Sequence, residues 1–313
     1  MSKLRVVFMG TPDFAVPCLD MLVAEQYNVV AVVSQPDRPK GRGQKLAMSP
    51  VKQAALNYGL TVLQPHKVKE VGFQTELSLL KPDLVIVVAF GQLLPKTMLD
   101  IPPLGCINVH ASLLPRYRGA APIHWAVMNG EQVTGVTTMY MDVGMDTGDM
   151  ILKSEIRITA DDTTGVVHDK LKESGAKILS ETIILLLANQ APRIVQNHEK
   201  ATYASMLSRE VEAIKWERSA TAIHNLVRGL NPWPGAYCSY QDKNLKTWQT
   251  REYESEMSTN KPGKIIRITT DGFLVETGQG TLEILEVQPA NKRRMSAKDF
   301  VCGYGVTVGD ILE

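Results

Sequence analysis

Cysteine is scarce and scattered: Cys18, Cys106, Cys238 and Cys302 stand far apart among 313 residues. They form no CxxC pair and no dense framework, so metal and disulfide scaffolds are not indicated and a reducing cytosol fits. An excess of one charge is lacking too. Charged residues make up 21% of the chain and the formal net charge is +1, which leaves only a local patch to attract a polyanion. No apolar run approaches the ~20 residues of a membrane-spanning helix. Residues 1–5 lead straight into a strand with no leader pattern, so a soluble, cytoplasmic protein is expected. Internal repeats and low-complexity tracts are absent, which excludes a repeat architecture. The turn Gly10-Thr11-Pro12-Asp13-Phe14 lacks G-x-G-x-x-G, so its backbone could not approach a pyrophosphate in the usual dinucleotide-binding way.

Apolar material is plentiful. Hydrophobic residues are 44% of the chain, enough for a large core, and the length suggests two domains. Residues 4–10 (LRVVFMG) are a continuous apolar run ending in glycine, the pattern of a buried parallel strand. Residues 14–24 carry helical spacing, and 27–34 (YNVVAVVS) read as a second buried strand. This opening predicts an α/β domain with a doubly wound sheet. Residues 83–90 (DLVIVVAF) are the strongest strand pattern in the chain. Further strands are expected over 60–63, 133–141 and 151–158, and helices over 49–58, 71–80, 120–128 and 163–188. Residues 193–207 turn polar and irregular, a plausible linker. Beyond residue 207 there are 14 basic and 14 acidic side chains, so that part is neutral. Short strand-like runs at 236–240, 245–253, 264–269, 273–277 and 281–287 suggest a small barrel, OB-like in strand count. The expected division is 1–189, a linker over 190–207, and 208–313.

The richest chemistry lies in Cys106-Ile107-Asn108-Val109-His110-Ala111-Ser112-Leu113-Leu114-Pro115. Its first five residues read as a short strand, which puts Asn108 and His110 on one face and Ile107 and Val109 on the other. Two polar groups between apolar neighbours are costly if buried unpaired. An amide and an imidazole at a strand's C-terminal end also stand where open α/β sheets place their sites. Taken alone, a turn could satisfy them instead. The second candidate is Asp142-Val143-Gly144-Met145-Asp146-Thr147-Gly148-Asp149. Aspartates in such a turn commonly bond their own backbone, yet one of them could orient an imidazole. The third is residues 35–46, Pro/Gly-rich and without apolar period, in which Arg38, Lys40, Arg42 and Lys45 face a single acid, Asp37. A mobile loop is expected there, either solvated or a phosphate-contacting arm. His124, among apolar neighbours, reads as structural, and Lys292, Arg293 and Arg294 form a further basic cluster.

The arrangement N-x-H-x-S-L-L-P with a downstream D-x-G-D resembles the folate-dependent formyltransferase family. The resemblance extends to Phe8-Met9-Gly10-Thr11-Pro12-Asp13-Phe14-Ala15, to Gln35-Pro36-Asp37-Arg38-Pro39 with its Gly-Arg-Gly, to Ala201-Thr202-Tyr203-Ala204 and to Asn231-Pro232-Trp233-Pro234-Gly235. These segments narrow it to the branch that acts on methionyl-tRNA. It spans nearly the whole chain, and over roughly the last hundred residues it lies in pattern more than identity.

The resemblance implies a Rossmann-like catalytic domain and an OB-like C-terminal barrel that binds tRNA. It implies transfer of a formyl group from 10-formyltetrahydrofolate, a co-substrate, to the α-amine of methionyl initiator tRNA, for translation initiation. No metal is required, and a monomer is expected. Asn108, His110 and Asp146 would be the catalytic set: donors for the developing oxyanion, with Asp146 paired to a protonated His110. Ser112, Leu113, Leu114 and Pro115, with Phe90, Gly91 and Leu94, would form walls for the folate. Arg38, Lys40, Arg42 and Lys45 would approach the acceptor end of the tRNA. One departure is visible: after Ala204 the family carries a nearby lysine, where Ser205-Met206-Leu207 stands here. If that lysine contacts RNA, this chain lacks the contact. Rival readings are a formyltransferase acting on an amino sugar or a nucleotide amine, a deformylating hydrolase, and a non-catalytic RNA-binding relative.

Overall fold

The computed structural model describes residues 4–40, 45–253 and 261–313, and its contacts divide the chain into two units. The first comprises Met1–Pro122, Val133–Ile156 and His168–Ala204; the second comprises Ile123–Gln132, Arg157–Val167 and Ser205–Glu313.

A seven-stranded sheet organises the first unit, in the order Met150–Arg157, Val133–Tyr140, Cys106–His110, Leu84–Val88, Arg5–Gly10, Asn28–Val33 and Val62–Leu63. The five strands from Cys106–His110 onward pair in parallel, whereas Cys106–His110 meets Val133–Tyr140 antiparallel. The parallel strands match the unbroken apolar runs: every residue of Leu84–Val88 is buried. Strand order reverses around Arg5–Gly10, because the chain first builds outward to Val62–Leu63 and then returns to Leu84–Val88 on the other side. Such a switch point leaves a crevice beyond the carboxyl ends of the strands. Gly10 sits there because a Cβ would lie 2.9 Å from both the Ala15 Cβ and the Phe8 ring.

The basic segment is more regular than its composition suggests. Arg38–Lys40 and Lys45–Ala47 pair as an antiparallel hairpin, with Pro39 opposite Leu46. Its base is pinned from outside the segment: the Asp37 carboxylate accepts hydrogen bonds from Lys52 Nζ at 2.7 Å and Gln64 Nε2 at 2.9 Å. Neither partner is visible as a local pattern. The Lys52 bond, with the Gln64 bond second, holds the Asp37 carboxyl below the usual carboxylate range. A depressed carboxyl stabilises the fold above its ordinary pKa of about 4 and loses that contribution as pH falls through the lower, folded value. Amide exchange across the hairpin strands, corrected for intrinsic rates, should therefore speed up on acidification below about pH 4. Asp37→Asn should reproduce the faster exchange at neutral pH.

The second unit is a small barrel. Its strands run in the order Ala236–Tyr240, Lys243–Tyr253, Thr281–Pro289, Phe273–Glu276 and Ile265–Ile268, with Met295–Ser296 paired to Thr281–Pro289. The last residues close it. Ile265 N–H donates to the Asp310 carbonyl and Leu312 N–H to the Gly263 carbonyl, each at 2.8 Å, while Glu313 N–H donates to the Ser239 carbonyl at 2.9 Å. The terminal segment thus bridges both edge strands, which removes the exposed edges an open sheet would leave. Phe273, Leu282, Val287 and Phe300 fill the interior. Phe300 arrives on the helix Ala297–Tyr304, which Ser296 caps through its side chain and Gly305 ends in the left-handed region. The fold is a Rossmann-like doubly wound sheet with an OB-like barrel; the terminal helix and the closing segment were not legible beforehand.

Candidate active site

Asn108 and His110 lie on one face at the carboxyl end of Cys106–His110, while Ile107 and Val109 fill the opposite face. Asp146 arrives from the turn between Val133–Tyr140 and Met150–Arg157. Asn108 Nδ2 donates to Asp146 Oδ1 at 3.5 Å, across 38 positions of sequence. His110 Nδ1 lies 3.7 Å from Asp146 Oδ2, and that oxygen also accepts the Gly119 N–H at 2.8 Å. The other ring nitrogen, Nε2, is 2.9 Å from the Tyr117 carbonyl. A carbonyl only accepts, so Nε2 carries the hydrogen and Nδ1 is the nitrogen turned toward the carboxylate. The structure brings Asn108, His110 and Asp146 to one point, at distances that commonly tighten when substrate is bound.

The three carboxylates of the turn divide their labour. Asp142 builds the turn, accepting from Gly144 N–H at 3.0 Å and Thr147 Oγ1 at 2.6 Å. Asp149 faces Arg193 at 3.5 Å. Only Asp146 reaches the strand face. Its φ is +54°, and Tyr117 and Ala89, near the same end of the sheet, have φ of +58° and +45°. Left-handed backbone is uncommon for a residue as bulky as tyrosine, and such strain gathers at functional sites.

The residues proposed as folate walls fall into two groups. Ser112, Leu114, Phe90 and Leu94 are at most 4% exposed, so their side chains belong to the interior. Ser112 Oγ donates to the Arg116 carbonyl at 2.6 Å, and Leu114 packs with Met139 and Met150. Phe90 and Leu94 join the core around Val7, Met9 and Val85. Leu113 and Pro115 are half-buried, and Gly91 is exposed with φ of +89°. Thr137 and Lys153 hold the segment in place. Thr137 Oγ1 donates to the Ser112 carbonyl and accepts from Leu114 N–H, and Lys153 Nζ donates to the Leu114 carbonyl at 2.5 Å. Beside Phe90 a cleft of about 430 Å³ opens at the switch point, lined by Thr11, Gln35, Arg38, Met48 and Ala89 among others.

Of the basic residues, Arg38 lines this cleft and is exposed. Lys40 and Lys45 are backbone partners in the hairpin ladder, and Arg42 lies outside the described residues. Met206 is 76% exposed. His124 stacks edge-on against Trp233, as a structural histidine does. Cys106 begins the same strand as the site, but burial pushes its thiol up to about 12, with the Asp100 charge adding to the shift, so it is no nucleophile at neutral pH. Among the described residues no group of three or more His, Cys, Asp or Glu side chains could hold a metal ion, and no helix is long and apolar enough to cross a membrane.

Several contributors escaped the sequence reading. Gly119 supplies the N–H to Asp146; at φ of +113° a Cβ there would lie 2.7 Å from the Ala204 carbonyl oxygen. Its close approach comes from Tyr203–Ala204, which pairs in parallel with Arg118–Gly119. The stretch read as a linker, 190–207, therefore divides: through Ala204 it belongs to the first unit. A glycine just past the S-L-L-P run was the one available hint.

The chain matches the formyl transferase family over residues 3–183 and the C-terminal domain of that family over 206–305. It is 52% identical over 309 residues to a methionyl-tRNA formyltransferase of Acetivibrio thermocellus, covering 99% of each chain. It is 50% identical over 309 residues to one of Clostridioides difficile, covering 99% of this chain and 100% of the relative. The chain belongs to the methionyl-tRNA formyltransferase family. Among solved structures it is similar to an N-formyltransferase from Helicobacter canadensis in complex with folinic acid and dTDP-3-aminofucose. The TM-score is 0.69 at 20% identity, over 90% of this chain and 99% of that one, a likeness of fold alone.

Proposed function

We propose that the protein transfers the formyl group of 10-formyltetrahydrofolate to the α-amine of methionyl initiator tRNA, acting in the cytoplasm as a monomer. In this reading residues 1–189 carry the chemistry, 190–207 lead on from them with the part through Ala204 held in the same unit, and 208–313 grip the tRNA backbone, whose recognition rests largely on shape. The observation that carries the reading is the meeting of Asn108, His110 and Asp146 at one strand end.

The methionine nitrogen attacks the formyl carbon, and charge develops on the formyl oxygen. Asn108 Nδ2 donates to that oxygen, and the single Nδ1 hydrogen of a protonated His110 is shared between that oxygen and the Asp146 carboxylate. Asp146 holds the imidazolium and helps the proton leave the attacking nitrogen. The carbon–N10 bond then breaks, its electrons return to N10, and the proton released by the amine ends there. N10 is an aryl amine of low basicity, which eases its departure. The exposed Gly91 and the half-buried Leu113 and Pro115 offer backbone and apolar contacts to a flat pterin, and the buried Ser112, Leu114, Phe90 and Leu94 support them from behind.

Arg38, Lys40, Arg42 and Lys45 are placed on the acceptor end. Arg42→Ala should raise KM for tRNA and flatten its salt dependence by about one phosphate contact, with folate binding unchanged. An unchanged KM would return the segment to a merely solvated hairpin. The 52% identity to a tRNA-acting relative supports a tRNA acceptor over a small amine. The test is one assay with formyl-labelled 10-formyltetrahydrofolate and three acceptors: charged initiator tRNA, charged elongator tRNA and a dTDP-amino sugar. Label is expected on the initiator alone. Label on the sugar, or released as formate, would replace this reading with a rival.

A further inference from the structure

We infer that Gln196, seated by Arg118, is a positioning residue of the reaction: it clamps the Asp146 turn so that the carboxylate faces His110. The inference rests on the catalytic role proposed for Asp146.

Gln196 is 2% exposed, in a stretch whose composition reads as a connector. Its Nε2 donates to the Asp146 carbonyl at 2.9 Å and to the Gly148 carbonyl at 2.8 Å. Its Oε1 accepts from Arg118 Nε at 3.1 Å and Nη2 at 2.6 Å. Both amide hydrogens and both lone pairs of the carbonyl are thereby used. The orientation is unambiguous, since a guanidinium only donates and a carbonyl only accepts. Arg118, 1% exposed, is the largest fully buried side chain described, and its guanidinium also lies 3.3 Å from His198 Nδ1. A charge buried this deeply is expensive unless its donors are satisfied, and what it satisfies here is the amide behind the Asp146 turn.

The clamp acts where the backbone needs holding. Asp146 has φ of +54°, a conformation that persists only when its surroundings impose it. Gln196 grips the turn from behind at residues 146 and 148. From the front, Gly119 N–H holds the carboxylate, and Gly119 is the neighbour of Arg118. One dipeptide, Arg118-Gly119, therefore fixes Asp146 from both sides, directly and through Gln196. Gln196 and Arg118 are 2% and 1% exposed and bear on the reacting groups only through the Asp146 turn, so losing the clamp should cost turnover and not affinity. A misplacement of about 1 Å can lower a rate by about a hundredfold.

Gln196→Glu is the discriminating variant. It keeps acceptors for Arg118 but loses both donors and sets negative charge against two carbonyls. The expected result is a kcat lower by about 10–100-fold with KM for folate and for tRNA near the parent values. Gln196→Met, which keeps the length and removes the donors without adding charge, should show the same split. In the Asp146→Ala background, Gln196→Glu should slow the reaction no further, because its effect passes through Asp146. Near-normal kcat in both Gln196 variants, a fully additive loss in the double variant, or loss of the folded state in both would overturn the inference. Near-normal kcat in Asp146→Ala alone would instead overturn the function proposed above, so the two failures are distinguishable.

Discussion

Replacing His110 by alanine is expected to lower kcat by about 10²–10⁴-fold, the usual contribution of a positioned acid–base group. The expectation follows from how the ring is held. Nε2 is committed to the Tyr117 carbonyl, so the ring cannot flip without losing a buried hydrogen bond, and Nδ1 stays turned toward Asp146. Folate binding should be little changed, because the pterin contacts are assigned to Gly91, Leu113 and Pro115. The variant should also be less stable by about 1 kcal/mol, since a buried hydrogen bond to the Tyr117 carbonyl is lost. Turnover must therefore be measured well below the melting temperature, with folate affinity measured separately by titration calorimetry. A variant that binds folate and turns over normally would remove His110 from the chemistry.

Asn108→Ala is expected to lose about 10²–10³-fold in kcat, the cost of deleting one donor to a developing oxyanion. Asn108→Asp should be at least as slow. It removes the donor and sets a second carboxylate where Asn108 Nδ2 now lies 3.5 Å from Asp146, and two like charges that close disfavour each other. Alanine and aspartate thus separate two explanations. If Asn108 only filled space, the near-isosteric aspartate would be the milder change. Steady-state kcat for both variants, at saturating folate and tRNA, decides the order.

Much of this was legible before any coordinates, and the reasons differ from part to part. The parallel strands announced themselves because strands buried on both faces are written as unbroken apolar runs, as in residues 84–88. Asn108 and His110 could be put on one face from period two alone. Asp146 could not be joined to them that way; only the family resemblance connected the turn to the strand. Tyr117 and Gln196 stayed hidden because they act through a backbone carbonyl and an amide, which leave no mark of chemistry in residue type, and Gly119 left only its being a glycine. The hairpin at Arg38–Lys40 and Lys45–Ala47 was read as a loop because its anchors, Lys52 and Gln64, lie well outside it. The barrel was expected, but the segment that closes it was not: the stretch that bridges Ile265 and Ser239 is too short to show alternation. The resemblance also named Ser112 and Leu94 as walls without saying that they face inward.

The decisive measurement is a crystal structure with a hydrolytically stable 10-formylfolate analogue. The predicted result is a formyl oxygen within about 3 Å of both Asn108 Nδ2 and His110 Nδ1, with Asp146 still against the imidazole. An analogue whose one-carbon unit lies elsewhere, for instance in the cleft lined by Thr11 and Arg38, with those three side chains untouched, would contradict it.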